Sequence, residues 1–151
     1  MACRLPVIRA IFRNTALLAL LSWSSASGQA GWLTFVGNPG DARGDLLEVD
    51  SQSRKASAKG STLDIRVSRV SLRTSTEGVP FRSYTATVLV DCAEKTARFL
   101  TASFYMMPLW EGKPHKTLIY SPSEVRPLLF RFFEPNPLPR IFKATCPNGP
   151  R

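Results

Sequence analysis

Cys92 and the alternating strand that ends in it limit most strongly what this chain can fold into. The stretch Ser83–Arg98 reads SYTATVLVDCAEKTAR. Tyr84, Ala86, Val88, Val90 and Cys92 recur at period two, with Ser83, Thr85, Thr87 and Asp91 between them. That is the pattern of a half-buried strand whose apolar side faces a core. Ala93-Glu94-Lys95 is a polar turn, and Thr96–Met106 returns as a strand rich in aromatic and β-branched residues. Its sides, Phe99 with Tyr105 and Leu100 with Ala102 and Phe104, are both apolar, so periodicity does not choose the buried one. The only cysteine after Cys92 is Cys146. Whether these two meet decides how the C-terminal part is tied to the sheet.

The compartment bears directly on that question. Arg4, Arg9 and Arg13 form a basic leader, Ala16–Leu21 a short apolar run, and Gly28-Gln29-Ala30 a small-x-small cleavage site before Gly31. This is the layout of an export signal over residues 1–30, with one domain over 31–151. The apolar run is shorter than the roughly 18 to 20 residues of a spanning helix, so no membrane span is expected after cleavage. No cysteine follows the run where a lipid would be attached. The expected location is the periplasm, the cell surface or the secreted fraction. Export leaves two cysteines in an oxidising compartment, where one bridge, Cys92–Cys146, is the natural outcome and two free buried thiols the alternative. A bridge closing so long a loop is worth roughly 4 kcal/mol by the chain-entropy argument.

The remaining elements follow from alternation and turn chemistry. Gly31–Val36 is a strand stopped by Gly37-Asn38-Pro39-Gly40, and Leu46–Asp50 a second, with Ser51-Gln52-Ser53 as a turn. Leu63–Arg73 is the longest strand candidate, and its alternation slips: Leu63, Ile65 and Val67 are odd, whereas Val70 and Leu72 are even. A slip of this kind needs a β-bulge, expected at or near Ser68. The basic residues Arg66, Arg69 and Arg73, with Arg82 on the next strand, are then expected to face outward as a stripe. Thr74–Pro80 is a turn, Thr117–Tyr120 a further strand, and Leu128–Phe133, bracketed by Pro127 and Pro135, an edge or extended segment. Asn136-Pro137 reads as a helix start. Leu138, Ile141, Phe142, Thr145 and Cys146 then form one helical stripe.

These residues, in this order and spacing, resemble the bacterial surface-adhesin protein E family of small exported domains. The matching features are Trp32 at the mature start and Leu47-Glu48-Val49-Asp50 followed by Ser53-Arg54. They continue with Ser83 to Val90-Asp91-Cys92-Ala93 with Arg98, Tyr105 in the returning strand, and the closing helix with Cys146. The resemblance covers nearly the whole mature chain. It implies an α+β fold: a single antiparallel sheet of about six strands with a C-terminal helix packed on it and held by the disulfide. It also implies a non-enzymatic binding module that attaches to host extracellular-matrix or serum proteins such as vitronectin, laminin and plasminogen. A periplasmic structural or assembly subunit, pairing by strand addition, is the alternative role.

Charge points the same way. Removing residues 1–30 takes three of the twenty Lys and Arg and none of the eleven Asp and Glu, leaving 17 against 11, a net +6. A basic exported protein favours acidic partners, anionic glycans among them, although such charge also serves solubility. Arg66, Arg69, Arg73, Arg82, Lys113 and Lys116 are the candidate binding residues. Export argues against a nucleic-acid partner. Catalysis is not expected: the single histidine, His115, lies in a Gly-Lys-Pro-His-Lys turn with no nucleophile arranged beside it. One histidine, two bridged cysteines and scattered acids do not make a metal site, and no cofactor motif is present. Phe130, Phe132, Phe133 and Phe142 are expected in the core; any left exposed would mark a partner surface or self-association into a homo-oligomer.

Overall fold

In a computed structural model of the chain, which describes residues 31–121, 123–130 and 132–146, every alternating segment becomes a strand. β1 (Trp32–Val36), β2 (Leu46–Ser57), β3 (Gly60–Thr74), β4 (Pro80–Asp91), β5 (Thr96–Tyr105) and β6 (Lys116–Ile119) lie in chain order in one sheet, all pairs antiparallel. The export signal expected over residues 1–30 lies outside the described residues. Short turns join β2 to β3, β3 to β4 and β4 to β5, longer loops join β1 to β2 and β5 to β6, and each strand folds back on its predecessor. At the β2–β3 turn, Gly60 adopts φ 147°, and a Cβ there would collide with the Val90 carbonyl oxygen of β4. Only glycine fits so close a backbone approach.

The front face of the sheet carries the core. Leu47 and Val49 of β2, Leu63, Ile65 and Val67 of β3, and Ala86, Val88 and Val90 of β4 are all buried on it, as the alternation of the opening stretch requires. The ambiguity in β5 is resolved by a bulge. Thr87 pairs with Thr101 and Val88 with Phe99, so Leu100 is the extra residue. Skipping it turns Phe99 to the same side as Ala102 and Phe104, and all three join the front-face core.

The C-terminal segment covers this face. Tyr120 N–H donates to the Leu100 carbonyl at 2.9 Å, Phe99 N–H to Arg126 at 2.9 Å and Leu128 N–H to Ala97 at 2.8 Å. The chain beyond β6 thus stays alongside β5, with Pro127 in a single bridge to Arg98, where a proline is tolerated because it faces the edge. The segment then crosses the front face, burying Leu128, Phe130 and Phe133. Helix α1 (Leu138–Thr145) follows, starting two residues after Asn136, whose Oδ1 accepts the Leu138 N–H at 3.0 Å. Ile141 and Thr145 are buried, and Leu138, Phe142 and Cys146 pack on the core, so the expected stripe is the one that faces the sheet. Arg140 Nη1 donates to the Phe35 carbonyl at 2.7 Å, joining the helix to β1. Cys146 is bonded to Cys92 in the β4–β5 turn, Cα to Cα 5.7 Å.

The expected bulge in β3 is present and larger than one residue. β3 advances five positions from Ser68 to Arg73 while β4 advances two, from Ser83 to Phe81. Its outcome differs from the expectation that it would keep the apolar side inward: Val70 and Leu72 are exposed, and Arg69 is buried at 5 %. Asp45 is the cause. Its Oδ1 accepts the Val70 N–H at 2.8 Å, and its Oδ2 pairs with Arg69 Nη2 at 3.1 Å. The Phe133 ring then covers the Arg69 guanidinium at 4.5 Å. A second wide bulge lies in β2, which advances from Asp50 to Lys55 while β3 advances from Asp64 to Thr62. Ser51-Gln52-Ser53, expected as a turn between separate segments, is this bulge inside one continuous strand. Ser53 Oγ donates to the Asp50 carbonyl and accepts the Asp64 N–H, replacing the ladder bonds the bulge interrupts.

The back face is covered in part by the short turn Met107–Trp110. Ser83 Oγ donates to the Met107 carbonyl at 2.7 Å and accepts the Trp110 N–H at 3.0 Å, while Ser68 Oγ accepts the Leu109 N–H at 3.1 Å. Both serines are fully buried. Leu109 and Trp110 have φ of 53° and 61°, a left-handed conformation that a non-glycine residue holds only with such support.

Two stability measurements follow. Replacing Cys92 and Cys146 together by serine is expected to lower the unfolding free energy by roughly 2 to 5 kcal/mol, read as a drop in denaturant midpoint; an unchanged midpoint would mean that packing alone holds α1. Ser83→Ala removes both of its bonds and strands a buried N–H, at an expected cost of about 1 to 3 kcal/mol with a shift in tryptophan fluorescence.

Candidate functional site

Register places a group of rings at the β3–β4 hairpin end of the front face. Phe81 pairs with Arg73, and Tyr84 lies between Val67 and Phe104. Phe81 and Tyr84 meet edge to face at 5.5 Å, Phe81 and Phe104 lie 5.5 Å apart, Tyr84 and Phe99 6.0 Å, and Phe99 and Tyr120 6.1 Å. Above them the tail contributes Phe130 and Phe133, edge to face at 5.8 Å. The two layers do not close completely. Ala102, between Ala86 of β4 and Leu118 of β6, presents only a methyl. A cavity of about 660 Å³ remains between sheet and tail, floored by Val67 and Ala102 and walled by these rings. Its rim at Arg73, Thr76 and Phe132 is exposed, so it opens to solvent at the hairpin end.

Six polar side chains besides the rim threonines and serine line this space: Arg69, Arg73, Glu77, Arg126 and the phenols of Tyr84 and Tyr120. Arg69 is held between Asp45 and Phe133, and burial lowers its pKa, with Asp45 opposing that and the neighbouring Arg73 charge adding to it. Arg73 lies 5.7 Å from the Phe132 ring. Arg126 pairs with Glu77 at 3.4 Å and Glu124 at 2.7 Å, yet its Nε is buried and donates no hydrogen bond. Burial pushes the Tyr84 phenol far above the ordinary tyrosine value, with Arg69 offsetting part of the effect. Tyr120 is pushed up to about 12, by burial first and then by the Glu77 carboxylate beside it. Both phenols are therefore neutral hydrogen-bond donors at physiological pH. The site combines apolar walls with convergent donors, the usual composition of a small-molecule pocket.

The six basic residues singled out in the sequence are not brought together, and the expected outward stripe is corrected at Arg69, while Arg66 keeps to the outward face but is taken up there by rings and a carboxylate. Arg66 lies on the back face, its guanidinium between the Trp32 and Trp110 rings at 4.1 and 4.2 Å and paired with buried Glu48 at 2.7 Å. Arg69 lies in the front-face cavity. The reason is the same for both: an arginine can take an inward or sandwiched position when rings cover it and a carboxylate balances it. Arg73 is exposed at the cavity rim, and Arg82 donates from Nε to the Arg69 carbonyl at 3.0 Å, bracing the β3 bulge. Lys113 and Lys116 are exposed near the β5–β6 connection, as is His115. Sequence reading missed Tyr120, Glu77 and Arg126 as lining groups. The proline-bracketed, phenylalanine-rich segment after β6 was the only local signal that something was being covered. Of its rings Phe130 and Phe133 are buried, Phe142 is half-buried and Phe132 is 73 % exposed, so one of the four leaves the expected core.

The phenols make a pH test. Unfolded tyrosine titrates near 10, and both folded values lie above it, so the folded chain holds protons that the unfolded chain releases. Stability is then intact below pH 10 and falls as pH climbs toward the Tyr120 value of about 12. Denaturant midpoints across this range should decline, and Tyr84→Phe and Tyr120→Phe should each flatten the decline; full tyrosinate absorbance already at pH 10 would contradict their burial.

Among the described residues no group of three or more His, Cys, Asp or Glu is placed to hold a metal ion. No curated protein and no solved structure matches the chain. One family model does, that of surface-adhesin protein E, over residues 33–146, which takes in β1 from its second residue, the other five strands, the helix and both bonded cysteines. The chain belongs to the surface-adhesin protein E family.

Proposed function

We propose that the mature chain is exported by way of its residue 1–30 signal and works, without catalysis, as an adhesive binding module at the bacterial cell surface. The family match across residues 33–146 carries this reading, and charge gives it a mechanism. Host matrix or serum proteins and anionic glycans present acidic groups, and Arg73, Lys113 and Lys116 are exposed cations able to meet them. Phe132, also exposed, adds an apolar contact beside Arg73. Arg66, Arg69 and Arg82 support the sheet in this reading and do not reach the partner. No described helix is long and apolar enough to cross a membrane.

The second reading, a periplasmic assembly subunit that adds a strand, draws on β6. This strand is short, lies at the sheet edge and exposes Ile119 at 82 %. Protease shaving of intact cells separates the two, since a periplasmic protein is untouched.

For adhesion, binding of the purified domain to immobilised vitronectin, laminin or heparin should weaken as salt rises, because exposed charge pairs are screened over about 8 to 10 Å at physiological ionic strength. The triple variant Arg73→Gln, Lys113→Gln, Lys116→Gln should lose most of that binding while keeping its denaturant midpoint. Binding that ignores both salt and these substitutions would refute the mechanism.

A further inference from the structure

We infer that the front-face cavity binds a small amphiphilic carboxylic acid, its apolar body against the phenylalanine walls and its carboxylate held by Arg69 and Arg73 with the Tyr84 phenol. This site differs from the adhesive surface in its ligand and in its depth within the fold, and meets it at the rim, where Arg73 and Phe132 belong to both.

Three observations carry the assignment. The first is size and lining: about 660 Å³ lies within the roughly 300 to 1,000 Å³ of small-ligand sites, and its walls are mainly aromatic. An apolar body of that scale gains by leaving water for them. The second is charge. Three arginines line the cavity against one glutamate. Glu77 is taken up by Arg126 at the other side, so the balance at the Arg69–Arg73 end is positive. There Asp45 pairs with Arg69 at 3.1 Å, and no carboxylate among the described residues pairs with Arg73. Arg73 lies close enough to disfavour the Arg69 charge. An added carboxylate relieves that repulsion, whereas a cationic or neutral head does not. The third is donor geometry. Arg69 and Arg73 lie over Phe133 and Phe132, so ring faces hold both guanidiniums at the cavity wall. The Tyr84 phenol lies near Arg69 and stays protonated. Guanidinium N–H groups and a neutral phenol are donors suited to a carboxylate.

The alternatives fare worse on the same observations. A cation meets the arginine excess, and a purely apolar molecule leaves the Arg69–Arg73 repulsion in place. A carboxylate-bearing amphiphile uses every group named.

The probe is anilinonaphthalene sulfonate, whose fluorescence rises in an apolar site, displaced from the full mature domain by decanoate or by decanol. Decanoate should displace it saturably and at least about tenfold more tightly than decanol, the worth of a charge-assisted hydrogen bond. Arg73→Gln, an exposed substitution with little folding consequence, and Tyr84→Phe, which keeps the ring wall, should each weaken decanoate about fivefold or more and leave decanol unchanged. Lys113→Gln removes an equal charge away from the cavity and should change neither. Absence of saturable displacement, equal affinity for acid and alcohol, or an acid preference lost equally in Lys113→Gln would overturn the assignment. These readouts do not involve any matrix protein, so failure of adhesion and failure of the cavity site are distinguishable.

Discussion

A six-stranded meander has two broad faces, and among the described residues the segment after β6 is what covers the front one; that covering governs the arrangement. The front face carries the contiguous apolar side chains of β2 to β5, which water would penalise if they stayed open. The segment after β6 must cross the sheet to cover them, and it is too irregular to be held by backbone pairing alone. It is fastened at two ends. At the β4–β5 turn the Cys92–Cys146 bond limits how far α1 can move even in the unfolded chain. At the other end Phe133 lies over Arg69, whose charge is answered by Asp45. One fastening is covalent and the other is a buried ion pair under a ring, and the cavity lies on the side where the second, less complete closure is found.

The sheet reaches this state through bulges. Each register shift re-aims side chains that simple alternation would send elsewhere. The Leu100 bulge brings Phe99 into the core. The wide bulge after Ser68 leaves Val70 and Leu72 in solvent and draws Arg69 inside. The bulges are accompanied by side-chain oxygens that take up interrupted backbone groups: Asp45 at Val70, Ser53 at Asp64, and Ser68 and Ser83 beneath the Met107–Trp110 turn. Polar residues that look like surface decoration in a linear reading are thereby structural supports of the sheet.

The two faces therefore offer different capacities. On the back, Arg66 is clasped by two indoles and Glu48, leaving it little freedom to reach a partner. The exposed cations lie at loops and at the cavity rim, where a macromolecule can approach without disturbing the sheet. The cavity lies deeper, with Arg69 and Tyr84 as donors of its own, and it meets the exposed surface only at its rim, at Arg73 and Phe132.

Much of this architecture was legible in the chain itself. Alternation in Ser83–Cys92 identified the central strand and its buried side, the two cysteines after residue 30 pointed to their own pairing, and Asn136 with the stripe from Leu138 to Cys146 identified the helix and the side it buries. The slip between Val67 and Val70 even located the bulge. These features are local, set by backbone geometry over a few residues or by there being just two cysteines after residue 30. The direction in which Arg69 points, the sandwich around Arg66 and the cavity walls are of another kind. They depend on Asp45, Phe133, Trp32, Trp110 and Tyr120, residues distant in the chain, and a pattern of period two carries no information about which ring will cover which charge. Only the packed tertiary structure decides that, because the energy of a buried charge is fixed by the groups that surround it in space.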